Sequence, residues 1–254
     1  MILDNFRLDN QVALVTGAGQ GLGQGMAMAL AEAGADIVAV DIKLADQTRQ
    51  AVEALGRRCF CLQADLIKAS VADLQVRVAQ AIRQAWRLDI LVNNAGIIRR
   101  APVTDFSEAD WDSVIQINLK AVFFLSQAAI RYFLTQKRGK IVNVASLLAF
   151  QGGILVPSYT ASKSGVAGIT RLMANELAAK GINVNAIAPG YMATDNTAAL
   201  RADPDRSASI LARIPAGRWG LPSDLAGAVV FLASSASDYV HGTILTVDGG
   251  WMAR

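Results

Sequence analysis

The sequence predicts a doubly wound α/β fold, a parallel sheet of seven strands with helices on both faces. Three observations carry that expectation. Short apolar runs recur at 11–16, 36–41, 58–63, 89–92, 140–145, 182–187 and 243–247, with helical segments between them. Such alternation argues for parallel strands joined by helical crossovers. A glycine-rich turn joins the first run to the first helical segment. No Pro/Gly/Ser-rich linker, charge run, low-complexity tract or internal repeat divides the 254 residues. The chain therefore reads as a single domain, 1–254, large enough to bury a sizeable core.

The elements follow in order. Gln11-Val12-Ala13-Leu14-Val15 is the first strand. It runs into Thr16-Gly17-Ala18-Gly19-Gln20-Gly21-Leu22-Gly23, and Leu22 to Ala33 then reads as a helix rich in Ala, Met and Leu. Strand, glycine turn and helix N-terminus in that order make an anion site, because free backbone N–H groups and the helix dipole both face the turn. Glycines let the backbone approach a pyrophosphate and let the helix pack on the strand. The spacing is T-G-x-x-x-G-x-G, a narrower pattern than G-x-G-x-x-G.

The second strand, Asp36–Asp41, ends on an acid. A carboxylate there accepts hydrogen bonds from ribose hydroxyls and repels a 2′-phosphate, so Asp41 predicts NAD over NADP. Lys43, two residues on, softens that repulsion. Cys59 and Cys61 stand two apart on the third strand and share one face. With one histidine in the chain, they do not compose a four-ligand zinc site, and they read as reduced core thiols.

The fifth run, Ile141-Val142-Asn143-Val144-Ala145, is followed at once by Ser146. Tyr159 and Lys163 then stand at i, i+4, one face of a helix. A phenol has a pKa of about 10 and is a poor base near neutrality. A neighbouring ammonium favours the phenolate, so Lys163 is expected to pull the Tyr159 pKa down. Ser146 would hold the oxygen that gains or loses the proton. His241, just before the last strand, is far in sequence from Ser146, which leaves a Ser-His-Asp hydrolase poorly supported.

Composition narrows the function classes. Net charge is +3, and Lys and Arg are scattered, whereas nucleic-acid binding needs a concentrated basic patch. No uninterrupted apolar stretch reaches the ~18 residues that suggest a membrane span. Met1–Arg7 carries acid where a signal peptide carries base, so a cytoplasmic location is expected. The apolar share is 53% and the charged share 18%. Either the core is an ordinary alanine-rich one, or helix faces around Phe123-Phe124 and Val229–Leu232 are buried between subunits.

These motifs together identify the chain as resembling a short-chain dehydrogenase/reductase over essentially its whole length. The residues that carry the likeness are T-G-x-x-x-G-x-G at 16–23, Asp65 after the third strand, and Asn93-Asn94-Ala95-Gly96 after the fourth. Asn118 in the long central helix, Ser146, Tyr159-x-x-x-Lys163, and Pro189-Gly190 after the sixth strand complete it. Asn93–Arg100, Phe150–Ile154 and Ala188–Thr194 are similar to members that oxidise sugar acids in pectin breakdown. Gluconate dehydrogenases and 3-oxoacyl reductases of the same family are the rival readings, and a non-catalytic dinucleotide sensor is the rival of another class.

The resemblance implies a Rossmann-type fold, an NAD-dependent oxidoreductase and a homotetramer. It implies a catalytic set of Asn118, Ser146, Tyr159 and Lys163. Tyr159 would act as acid/base, Ser146 would orient the substrate oxygen, and Lys163 would also bond the nicotinamide ribose. Asn118 would hold a water that links the lysine to solvent. For the cofactor it implies Gly17, Gly21 and Gly23 at the pyrophosphate, Asp41 at the adenosine ribose and Asp65 by the adenine. Asn93 would stand beside that ribose and Thr194 at the nicotinamide end. Residues 195–213 would form the substrate lid. A sugar acid brings a carboxylate, and Arg100, with its forked donors, is the candidate to hold it, with Gln151 as a hydroxyl partner. Arg99 is the lesser candidate, because family members with other substrates carry it too.

Overall fold

The structure is a computed structural model and describes residues 1–253. Seven parallel strands form one sheet: β1 Val12–Thr16, β2 Asp36–Asp41, β3 Cys59–Gln63, β4 Ile90–Asn93, β5 Gly139–Val144, β6 Ile182–Pro189 and β7 Ile244–Val247. Their spatial order is β3-β2-β1-β4-β5-β6-β7. The expected strands fall on the observed ones with ends shifted by a residue or two, which is where strand ends are least constrained.

Every residue of β1, β5 and β6 is buried, as a parallel sheet covered on both faces requires. Successive residues point to opposite faces, so the strands feed two cores. Ala13, Val15, Ile37, Ala39, Val92 and Val142 meet helices α1 (Gly21–Glu32), α2 (Asp46–Ala54) and α9 (Ala226–Ala233). Val12, Leu14, Val38, Leu91, Ile141 and Val184 meet α3 (Val71–Ala85), α5 (Ala121–Gln136) and α6 (Pro157–Leu177). Cys59 and Cys61 both face the α1 side, as their spacing predicts. Both thiols are free, and burial pushes the Cys59 thiol up to about 12.

The strand order reverses between β1 and β4. Their C-terminal ends diverge there, and the loops that follow open a crevice, the usual ligand position in such sheets. Helix α4 (Glu108–Ile115) runs into α5 through a π-helical turn, Gln116–Lys120, which holds Asn118. The continuous helix Glu108–Gln136 is long and apolar enough to cross a membrane by composition, because α5 is rich in Ala, Phe and Leu. In the fold, Ala121, Leu125, Ala129 and Phe133 of that helix pack on the sheet.

The apolar segments flagged in the sequence are largely used within the chain. Val229 and Leu232 are buried, and the Phe231 ring lies 6.3 Å from that of Phe6. Phe123 and Phe124 form an edge-to-face pair at 5.1 Å and remain partly buried. Residues 195–213 form a short 3₁₀ turn, Asp195–Thr197, then α7 (Ala198–Ala202) and α8 (Pro204–Leu211). Asp203 caps α8 by accepting from the Arg206 N–H at 3.0 Å, and Pro204 stands in its first turn. Proline is favoured there because its missing N–H is one a helix start leaves unpaired anyway.

Candidate active site

A cleft of about 830 Å³ opens at the crevice between β1 and β4. Its floor is the glycine turn. Gly17 and Gly21 have φ of +65° and +57°, a region that L side chains rarely adopt. A Cβ on Gly23 would lie 1.9 Å from the Gly17 carbonyl oxygen, so only glycine lets α1 start this close to β1. Gln20, the residue before α1, provides no side-chain cap. The first N–H groups of α1 are thus available to an anionic ligand.

Asp41 lies at the same turn. One carboxylate oxygen accepts from the Gly19 N–H at 2.8 Å, the other from the Ile42 N–H at 2.7 Å. An ionised carboxylate has about four acceptor sites, so it can hold the turn and still take hydroxyl donors. Asp65 lines the cleft too, with its Oδ1 accepting from the Ile67 N–H at 3.0 Å. Thr194 faces Gly21 across the cleft, since a Cβ on Gly21 would lie 3.7 Å from its methyl group.

Asn93 departs from the expectation. It is the last residue of β4 and its side chain points into the sheet interior, where Nδ2 donates to Ser126 Oγ and Asn143 Oδ1, both at 2.9 Å. The residue that reaches the cleft is Asn94, whose Nδ2 donates to the Thr16 carbonyl at 2.9 Å and the Gly17 carbonyl at 3.2 Å. Strand alternation separates the two neighbours, and the point where the strand ends decides which side chain faces out. The contact between the Gly19 N–H and Asp41 is likewise one that no spacing signals.

The chemistry-bearing residues come from three elements. Tyr159 is in the first turn of α6, Lys163 one turn later, and Ser146 two residues after the end of β5 at Val144. Tyr159 and Lys163 line the cleft. The Tyr159 phenol sits above its ordinary pKa: lost solvation dominates, and a hydrogen bond with Ser146 and the charge of Arg100 pull the other way. This corrects the expectation that Lys163 lowers it. The ammonium lies 5.6 Å from the ring centroid and donates instead to the Val144 carbonyl at 2.6 Å. Burial brings Lys163 down to about 8.

Asn118 is fully buried. Its Oδ1 accepts from the Ile97 N–H at 2.9 Å, and its Nδ2 donates to the Ile97 carbonyl at 3.0 Å and to Ser162 Oγ at 3.3 Å. Ser162 Oγ in turn donates to the Tyr159 carbonyl at 2.8 Å. The amide thus ties the β4 loop to the helix that carries Tyr159.

The lid meets the cleft at two points. Gln20 Nε2 donates to Asp195 Oδ2 at 3.1 Å, and an Arg100 guanidinium nitrogen donates to the Asn196 carbonyl at 3.2 Å. Arg100 has no carboxylate partner among the described residues, whereas Arg99 pairs with Asp110 at 3.2 Å. Gln151 stands apart from this group. It lies in the loop after the Leu147–Ala149 turn, and its side chain makes no hydrogen bond among the described residues. The single His241 interacts with Asn183 at 3.3 Å, not with Ser146. No group of three or more His, Cys, Asp or Glu that could hold a metal occurs among the described residues.

Comparison with known proteins agrees with this geometry. Residues 17–252 match the family described as enoyl-(acyl carrier protein) reductase. The chain is 61% identical over 255 residues to 2-dehydro-3-deoxy-D-gluconate 5-dehydrogenase of Escherichia coli strain K12, covering 100% of both. A solved Agrobacterium tumefaciens protein with bound NADP is 56% identical, with a TM-score of 0.92 and coverage of 98% of this chain and 99% of that one. A gluconate 5-dehydrogenase from Burkholderia cenocepacia J2315, solved with NADP and tartrate, is 38% identical with a TM-score of 0.94 over 100% of both chains. With this cleft, this strand order and relatives matched end to end, the chain belongs to the short-chain dehydrogenase/reductase family.

Proposed function

We propose that the protein is an NAD-dependent oxidoreductase that interconverts a secondary alcohol and a ketone on a sugar acid. The activity that fits is the one named for the E. coli relative, 2-dehydro-3-deoxy-D-gluconate 5-dehydrogenase. The observation that carries the reading is that Tyr159, hydrogen-bonded to Ser146, and Lys163 line the cleft that also holds the glycine turn. A dinucleotide sensor would not need that arrangement.

The cleft fits a dinucleotide: the uncapped start of α1 suits a pyrophosphate, and the Asp41 carboxylate suits a ribose diol. A bound nicotinamide dinucleotide supplies the hydride acceptor or donor. Asp41 favours NAD by repelling a 2′-phosphate, although the two solved relatives hold NADP, and Lys43 at the same rim tempers the repulsion. Asp65 and Thr194 flank the adenine and nicotinamide ends.

Tyr159 takes the hydroxyl proton in oxidation and returns it in reduction, and Ser146 holds the reacting oxygen beside it. Lys163 has two N–H donors beyond the one given to Val144, and these suit ribose hydroxyls. Asn118 keeps the β4 loop and α6 in register, and its π-turn is the place for the water that links Lys163 to solvent. With its pKa above the ordinary value, the Tyr159 phenol is protonated at neutrality and ready as an acid. Oxidation therefore gains rate as the pH rises and reduction loses it. Arg100 holds the substrate carboxylate. The protein works in the cytoplasm, where free thiols persist, as a homotetramer whose contacts include the half-exposed Phe123 and Phe124.

The test follows NADH absorbance with a panel of sugar acids, acyl ketones and neutral sugars, with product identification. Turnover restricted to 2-dehydro-3-deoxy-gluconate, or in reverse to the ketone formed by its oxidation, supports the proposal. Turnover of gluconate alone or of 3-oxoacyl substrates transfers it to those activities, and NADH binding without any turnover would leave a sensor.

A further inference from the structure

A small apolar cluster beside the site is separate from both sheet cores. It joins Leu147, Ile210, Ile214 and Trp251, with Tyr191 and Trp219 packed against it. Three distant chain segments meet there: the residue after Ser146, the C-terminal half of the lid, and the turn after β7. Trp251 is 4% exposed. Its ring lies 3.9 Å from the Arg213 guanidinium carbon and 4.7 Å from the Tyr191 ring. The backbone around it is tightly fitted: a Cβ on Gly249, at φ +65°, would stand 2.9 Å from an Ile214 methyl group, and Gly249 accepts from the Ala216 N–H at 2.9 Å.

The C-terminal end of the lid and the residues just after it, 210–216, are therefore bolted to the turn after β7. Its other end, Asp195–Asn196, lines the cleft and bonds to Gln20 and Arg100. Leu147 lies 4% exposed against this bolt and shares a peptide bond with Ser146. Ser146 Oγ also accepts from the Leu148 N–H at 3.2 Å. Packed side chains move little without moving the backbone that carries them, so whatever fixes Leu147 fixes the backbone from which the Ser146 hydroxyl projects and the Leu148 N–H that bonds it.

We propose that Trp251 is a positioning residue for Ser146. It clamps the base of the lid and Leu147 together, so that Ser146 and the lid share one frame of reference. This rests on the reading of Ser146 as the group that holds the reacting oxygen.

The test compares Trp251→Ala and Trp251→Phe in the full chain. Hydrogen exchange is the readout that does not depend on activity. Trp251→Ala is expected to speed exchange at 147–151 and 198–214 at least tenfold, leave 17–32 unchanged, and lose most of the effect in Trp251→Phe. On the sugar acid, kcat should fall about tenfold and KM rise, with NADH affinity within twofold of the unmodified protein. Exchange that rises only at 248–253, or equally everywhere, overturns the proposal. So does an unchanged kcat. If Trp251→Ala does not fold, Arg213→Met removes the cation from the ring without opening the core, and an unchanged 147–151 exchange in that variant overturns it as well. Were the panel of sugar acids to give no turnover, the exchange pattern would still decide the clamp, and only the assigned activity would fail.

Discussion

The Lys163 ammonium donates a 2.6 Å hydrogen bond to the carbonyl of Val144, the last residue of β5. That bond fixes α6 against the strand end that leads to Ser146, and it places a charge at 4% exposure. Burial brings the Lys163 pKa down to about 8 from 10.5. Between those values the unfolded chain holds the proton and the folded chain has released it, so stability rises with pH across that window. Relative to Lys163→Met, the unmodified protein should gain on the order of 3 kcal/mol from pH 7.5 to 10.5. Paired thermal melts across that range check it, and a constant difference would show that the ammonium is not buried.

Tyr159→Phe keeps the ring and deletes the ionisable oxygen. Turnover should fall by about 10²–10⁴-fold, the contribution of a well-placed acid/base, while NADH binding measured by fluorescence stays the same. Near-normal turnover would remove Tyr159 from the mechanism.

Asp41→Ala removes a ribose acceptor and the charge that opposes a 2′-phosphate, and it also deprives the Gly19 N–H of its partner. Affinity for NAD should fall about tenfold, the effect of one hydrogen bond to a charged group, and the gap to NADP should narrow. An unmodified protein that already prefers NADP in a titration with both cofactors would overturn this account of Asp41.

Gly23→Ala forces a Cβ into the Gly17 carbonyl, 1.9 Å away. Overpacking of this kind costs about 1–3 kcal/mol. Thermal melts and cofactor titration should therefore show lower stability and weaker dinucleotide binding together. An alanine tolerated in both measurements would mean that the turn has room to open.

Arg100→Met keeps much of the stem and removes the guanidinium. A lost charge-assisted hydrogen bond costs about 1.5–3 kcal/mol, so KM for the sugar acid should rise by about 10- to 100-fold while KM for NAD holds. Unaltered kinetics with the acid would place the carboxylate elsewhere.

The fold was legible because its signals are local. Seven apolar runs and the T-G-x-x-x-G-x-G turn announce strands and crossovers, since burial on both faces demands unbroken apolar runs and a close helix start demands glycine. The candidate site was legible where spacing fixes geometry. Tyr159 and Lys163 share a helix face, and both line the cleft.

What only the tertiary structure decided depends on long-range packing and solvent access. Asn94 rather than Asn93 meets the cleft, because β4 runs one residue further than the apolar run 89–92 and keeps Asn93 in the sheet. The Tyr159 pKa goes up rather than down: burial outweighs the charges around it, and Lys163 spends its ammonium on Val144. Gln151 lies away from the cleft, and Leu147 and Trp251, more than a hundred residues apart in the chain, share one cluster beside Ser146. Spacing along a helix or strand sets which neighbours share a face, but the path of the intervening chain sets which distant groups meet and how much water they keep.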